Sequence, residues 1–332
     1  MTRDGIRTVA EQEFTIRLRA GRWRWLLGAW FAVLAVVTFL IRLATQTVDS
    51  GHATDKGVPV YGGLTLLVLG LALLVVPTLS AQSVNGDRER GTLATLQVTR
   101  LTAGDIALGK FAAAWGTSLV FLALTLPLVL FTMTQGGVTL GRVVVVTFVV
   151  AMLLGSVIAI ALMLSSLLTR TTTSGVIAYL VVFALTIGTT VTFFLSLLLS
   201  QEDYTQTYGS EVYTGKRTRP DYVWWILAPN PFVVLADAAP RLPEETAAEK
   251  AKRKDLEDKG IYVTSMRDSD PLGGLGSAVR SAHKHPDDPG DGKPVWPWGL
   301  AFDVLLGAGA LRITALRLQT PSRDLPLGQR VA

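Results

Sequence analysis

The sequence contains no cysteine. That absence removes disulfides, thiolate metal sites, iron–sulfur clusters and cysteine nucleophiles together. Histidine is nearly as scarce, at three residues, and only 17% of the 332 residues are charged, against roughly a quarter in a soluble domain. No Ser–His–Asp grouping, paired intramembrane acids, Gly-rich dinucleotide loop or internal repeat is visible. These gaps weigh against soluble enzymes, metalloproteins and carriers built from inverted repeats. Apolar residues are what the chain has in excess, at 49% with a mean hydropathy of +0.40. The composition is that of a multispanning membrane protein.

Crossing about 30 Å of hydrocarbon takes roughly 20 mostly apolar residues. Six windows qualify: Trp25–Ala44, Val60–Leu79, Phe111–Met133, Val143–Leu168, Ser174–Leu199 and Trp298–Leu318. Arg42 interrupts the far end of the first, where its side chain is expected to snorkel to the headgroups. The run is not read as a cleaved signal peptide, because a long polar-rich stretch precedes it and no small-residue cleavage site follows. The expected fold is therefore an all-α integral membrane protein of six transmembrane helices.

Orientation follows from Lys and Arg. The stretch before span one holds Arg3, Arg7, Arg17, Arg19, Arg22 and Arg24, and the loop after span two holds Arg88, Arg90, Arg100 and Lys110. Arg170 follows span four, and Arg317, Arg323 and Arg330 lie in the tail; the opposite loops offer little beyond Lys56 and Arg142. The positive-inside rule places both termini in the cytoplasm. It also explains the net charge of +5 without a nucleic-acid partner.

The expected organisation is a basic amphipathic elbow over 1–24 and spans one to five over 25–200, with a cytoplasmic loop at 83–110. An extracytoplasmic segment follows over 201–297, then span six over 298–318 and a cytoplasmic tail over 319–332. In the elbow, Ala10, Phe14 and Leu18 recur every four residues among arginines, a pattern suited to lying on a leaflet. Within the outer segment, 222–239 is too short and proline-broken for a seventh span and reads as re-entrant or interfacial. Trp23, Trp25, Trp224, Trp225, Trp296 and Trp298 are expected at the membrane interface; the alternative for the outer four, weighed below it, is the packing core of a small outer domain. The charged stretch 244–260 is either a solvated helix or disordered, and 283–294 reads as flexible loop.

Three chemical candidates are weak. Gly104-Asp-Ile-Ala-Leu-Gly109-Lys110 has the spacing of a phosphate-binding loop, but Phe111 stands where that motif needs Ser or Thr, and a membrane span follows. His283 and His285 have no third ligand nearby in sequence, so neither metal nor cofactor is expected. Asp303 is the one acid inside a span, close enough to its end for a hydrated or hydrogen-bonded structural role.

The loop after span two is more specific. Asp87-Arg88-Glu89-Arg90-Gly91-Thr92-Leu93, followed by Leu96, Thr99, Leu101 and Gly109-Lys110, resembles the pattern E-x-E-x-G-T-L-x-x-L-x-x-T-P-L…G-K of permease subunits of the type-2 ABC exporter family. The layout of elbow, six spans and large outer connection resembles it as well, and Pro229-Asn230-Pro231-Phe232 looks like a segment of actinobacterial members. Ala94 and Arg100 depart from the pattern, standing where an acid and a proline are usual.

The resemblance implies a multi-pass protein of the bacterial plasma membrane that exports a substrate using ATP hydrolysed by a separate ABC ATP-binding subunit, and that pairs with a second permease copy. Thr92–Val98 would be a coupling helix seated on that ATPase. Leu93 and Leu96 share one apolar edge, and Glu89, Arg90 and Arg100 set register beside it. Small residues such as Ala112 and Gly116 suit the contact between permease copies. An ion-coupled carrier and a membrane enzyme acting on lipids are the alternatives, each short of the ionisable groups its chemistry needs.

Overall fold

A computed structural model describes residues 2–19, 22–48, 56–93, 101–208, 211–259, 265–285, 288 and 292–319. Its framework is helical. The elbow is α1 (Arg3–Arg19) and span one is α2 (Arg22–Val48). Span two is α3 (Gly57–Ser80), prolonged after a break at Ala81–Gln82 by α4 (Ser83–Glu89). Span three combines α5 (Ala103–Leu124) and α6 (Leu126–Thr134). The break between them falls at Thr125, just before Pro127, which has no N–H to give the helix ladder.

Span four is α7 (Leu140–Leu167). Span five is α8 (Thr171–Phe183) and α9 (Thr189–Leu199), joined through a π-helical turn at Ala184–Gly188. Span six is α13 (Trp296–Gln319). Among the described residues, six helices are long and apolar enough to cross a membrane.

Two boundaries differ from the sequence reading. Span three begins near Ala103, eight residues before Phe111, because Thr102 and Asp105 form a capping box. The Thr102 hydroxyl accepts from Asp105 N while the Asp105 carboxylate accepts from Thr102 N, so what looked like a turn starts a helix. Ser83–Glu89 is likewise helix rather than loop.

Spans two and four form the interior. Leu64, Leu69, Leu153, Leu154 and Ile158 are fully buried between them and their neighbours. Spans one and five expose Phe39, Leu180, Phe183, Phe194 and Leu198, an apolar periphery suited to lipid tails. Span six lies along span four through small residues: a Cβ at Gly307 would sit 3.1 Å from Ser156 Cα. That near contact leaves no room for a larger side chain.

The connection between spans five and six forms a cap at the opposite end of α3 from the elbow. It starts with a two-stranded antiparallel hairpin, β1 (Gln201–Tyr208) and β2 (Glu211–Thr218), in which Glu202 faces Arg217. Two 3-10 turns, Pro220–Tyr222 and Trp224–Ile226, lead to α10 (Pro231–Ala238), whose N-cap Asn230 accepts from Phe232 N. Then come α11 (Ala247–Asp258) and α12 (Pro271–His283). The charged stretch is thus a helix, with exposed Lys259–Asp255 and Arg253–Glu257 pairs one turn apart. Within 222–239 the two ends differ: Tyr222 and Trp225 are exposed, whereas Val234 and Leu235 have no exposed surface and pack in the main core.

Candidate functional site

At the elbow end, three helices meet around one lysine. Lys110 lies on α5, its side chain has no exposure, and its Nζ donates to Glu13 of α1, to Asp87 of α4 and to the Ser83 carbonyl at 3.3 Å. A charge entering an apolar helix persists only when it is paired. Here two carboxylates on two other elements supply the pairing. Asp87 also accepts from Arg90 Nη2 at 3.1 Å, so the hub reaches the surface.

The elbow is fastened at two further points. Thr2 N donates to Asp105 at 2.8 Å, and Arg17 Nη2 donates to the Leu79 carbonyl at 2.9 Å. Burial pushes the Arg17 guanidinium down from its ordinary value, a cost that places it among the structural arginines. Close approach of α1 to α5 needs a glycine, since a Cβ at Gly109 would meet Val9 Cβ at 2.5 Å. The elbow therefore packs its Val9 and Glu13 side on span three.

Helix α4 is wedged against spans four and five. Val84 N and Asn85 N both donate to the buried Ser165 hydroxyl at 3.1 and 3.2 Å, and Ser174 Oγ donates to the Ala81 carbonyl at 2.7 Å. The helix stops at Gly91, whose φ of +71° is the left-handed conformation that closes a helix without a Cβ penalty. Beyond its buried face, Glu89, Arg90, Gly91 and Thr92 form an exposed polar tip.

Leu93 turns inward. It is 3% exposed, in a cluster with Val84, Ile106, Ala107, Leu162 and Leu318. It locks the tip to spans three, four and six and is not displayed on the surface. Leu96, Thr99, Arg100 and most of the expected Thr92–Val98 helix lie outside the described residues.

The Gly104–Lys110 segment is helical throughout, and its lysine is committed to two carboxylates. That geometry is not a phosphate cradle. The tryptophans divide into two sets. Trp25, Trp225 and Trp298 are exposed at 84%, 61% and 67%. Trp23 packs edge-on to Phe121, Trp296 packs on the core, and Trp224 stacks on His283 at 4.0 Å. His283 also meets the Lys293 carbonyl at 3.1 Å, so it is an ordered part of the cap.

Arg42 donates to Gln135 at 3.0 Å, tying span one to span three. Asp303 is 4% exposed on the face of span six that carries Gly299 and Gly307, and its Oδ2 has no hydrogen-bond partner among the described residues.

Lys110 and its two acids were missed as a unit. The signal was available: a lysine eight residues into a helix, with acids nearby in the elbow and loop, has to find partners.

A bundle of six apolar spans, with a docked amphipathic elbow and a helical loop tip linked to it, defines an all-α multi-pass membrane protein. Residues 7–221 match the family model described as ABC-2 family transporter protein, and the chain belongs to that family. It is an ABC-type permease, a multi-pass membrane protein whose family implies partnership with an ABC ATP-binding subunit. No curated protein matches the chain.

Proposed function

We propose that this chain moves an amphipathic substrate out of the cell across the bacterial plasma membrane, driven by ATP hydrolysis on a separate subunit that binds the elbow end. The observation that carries this reading is the continuous connection from the exposed Glu89–Thr92 tip, through Asp87 and Lys110, to span three and the elbow. A partner that grips the tip and closes on ATP moves those elements together. The coupling is as large as the difference in contact free energy between the partner's two states.

The positive-inside count supports a cytoplasmic elbow face and an external cap, with the cap being the 201–297 connection. Two permease copies, identical or paired with a relative, would flank the path. Gly116 supports a helix contact there, because nothing lies within 4 Å of a Cβ built on it. Exposed Trp25, Trp225 and Trp298 suit the headgroup layers.

Because the chain has no cysteine, a single Thr92→Cys variant places the only thiol on the tip. Co-expressed with its ATPase, this variant is expected to crosslink through that thiol to the ATPase subunit and to be protected from labelling outside intact cells. Labelling from outside would overturn the orientation. Recovery of a permease free of ATPase in mild detergent, together with ATP-independent transport, would overturn the mechanism.

A further inference from the structure

Among the described residues, three buried polar fastenings hold the cap to the bundle, and they differ in how completely they are bonded. Asp237 has no exposed surface. It accepts from Arg280 Nε on α12, and from Val295 N and Trp296 N at the start of α13 at 2.6 and 2.7 Å. Arg280 Nη2 donates in addition to the Asp237 carbonyl at 2.7 Å. Asn230 is similarly committed. Its Nδ2 donates to Thr186 O, Thr189 Oγ1 and Thr190 Oγ1 at 2.8, 2.9 and 3.1 Å, around the π-helical turn of span five.

The third fastening joins Arg142, at the start of α7, to Asp270, the N-cap of α12, by one contact of 2.6 Å. Both side chains are 2% exposed. Arg142 Nε and Nη1, Asp270 Oδ1 and the nearby Tyr61 hydroxyl are all buried without a hydrogen-bond partner among the described residues. Pro271 presses on α3 beside them, so that a Cβ at Gly62 would lie 2.7 Å from its Cδ.

These differences have opposite consequences on opening. A saturated site loses good hydrogen bonds when it parts and gains only equivalent ones to water. A buried ion pair with unmet donors and acceptors has given up hydration without full return, so separation into water restores what burial withheld. Asp270 and Arg280 sit at opposite ends of α12, on the order of 15 Å apart along the helix axis.

We propose that Arg142–Asp270 is the releasable latch of the cap. The N-terminal end of α12 lifts from α3 and α7 at this pair, while Asp237 and Asn230 keep the cap attached to spans six and five. The lifted end exposes the adjoining ends of α3 and α7, around Gly62 and Arg142. The inference rests on the proposed export reading only in taking the cap as the exit side.

The test uses the full-length chain in nanodiscs with a single Thr65→Cys substitution, one turn below Tyr61 on α3 and 7% exposed. The readout is the rate of maleimide labelling, which is blind to sidedness and needs no ATPase, so its failure is separate from failure of the export reading. In an otherwise unchanged chain, labelling is slow. Asp270→Asn, which strands the Arg142 charge, should speed it about tenfold.

Arg142→Leu combined with Asp270→Leu decides the matter even if the single variant fails to fold. Opening would then wet two apolar side chains instead of two charges. A latch predicts labelling several-fold slower than in the parent, with equal or higher thermal stability. Faster labelling with lower stability makes the pair a plain brace and overturns the proposal. Unchanged labelling in the double variant overturns it equally.

Discussion

Replacing Lys110 by methionine keeps the length and apolar stem of the side chain and deletes its charge. The loss leaves Glu13 and Asp87, whose side chains are only 21% and 12% exposed, without their shared cation, with only the surface Arg90 still on Asp87. Removing one partner from a buried ion pair costs about 3–5 kcal/mol, and here both carboxylates lose their shared donor. An unfolding entropy of about 2.1 cal/mol/K per residue, the soluble-protein scale, converts this into a fall of roughly 4–7 °C in melting temperature for a chain of this length. The assay is thermal unfolding of the full-length permease in one detergent, with a thiol-independent dye.

A charge-neutral hub separates electrostatics from packing. Lys110→Met combined with Glu13→Gln and Asp87→Asn leaves no stranded ion, and similar volumes are retained. That triple variant is expected to recover more than half of the loss, because neutral replacement of a buried ionic group is often close to break-even. A double-mutant cycle between Lys110 and Asp87 should return a coupling of about 1–3 kcal/mol. A single methionine variant within about 1 °C of the parent, on the same entropy scale, or a triple variant no better than the single one, would refute the claim that this hub joins the elbow, the loop and span three.

Three other outcomes follow from the cap. Asp237→Ala takes the carboxylate from Arg280, which keeps only its bond to the residue-237 carbonyl, and from Val295 N and Trp296 N at the entry to span six, so it should cost upwards of about 3 kcal/mol, measured by the same melting assay; a surface-like effect below about 0.5 kcal/mol would contradict its role. Asn230→Leu should loosen the contact at the π-helical turn, read as faster hydrogen exchange across 184–190 with the remaining spans unchanged. The turn after the hairpin should respond to acid: Asp221 is held below the usual carboxylate range chiefly by hydrogen bonds from Arg219, whose own value is raised. That contribution is present in full above about pH 4 and disappears as pH falls through the lowered value, so exchange protection of the Tyr222 and Val223 amides, which close the turn, should weaken only below about pH 4, and weakening between about pH 5 and 7 would refute the assignment.

How much of this was legible in the sequence depends on what each feature needed. The six spans required only composition, since each apolar run is long enough to cross a bilayer by itself. The start of span three was misplaced because Thr102–Asp105 reads as a turn unless the acid three residues on is weighed as a cap. The inward turn of Leu93 was invisible, because its burial depends on Leu162 and Leu318, which are distant in sequence and brought to it only by packing. The saturation of Asp237 was hidden for the same reason: its partners lie 43 to 59 residues away.

Charged residues at the ends of these spans nonetheless carry a rule that explains both the hub and the latch. Arg142 and Lys110 were counted as markers of membrane sidedness, the role expected of cations at a boundary. Both are instead fully enclosed, and enclosure forces a partner. Lys110 finds two carboxylates and a carbonyl, which satisfies an ammonium's three donors. Arg142 finds one carboxylate oxygen for a guanidinium with five N–H donors. The first arrangement favours elements that travel together; the second favours elements that separate. The elbow end should accordingly move as one body, and the cap end should be where the bundle opens.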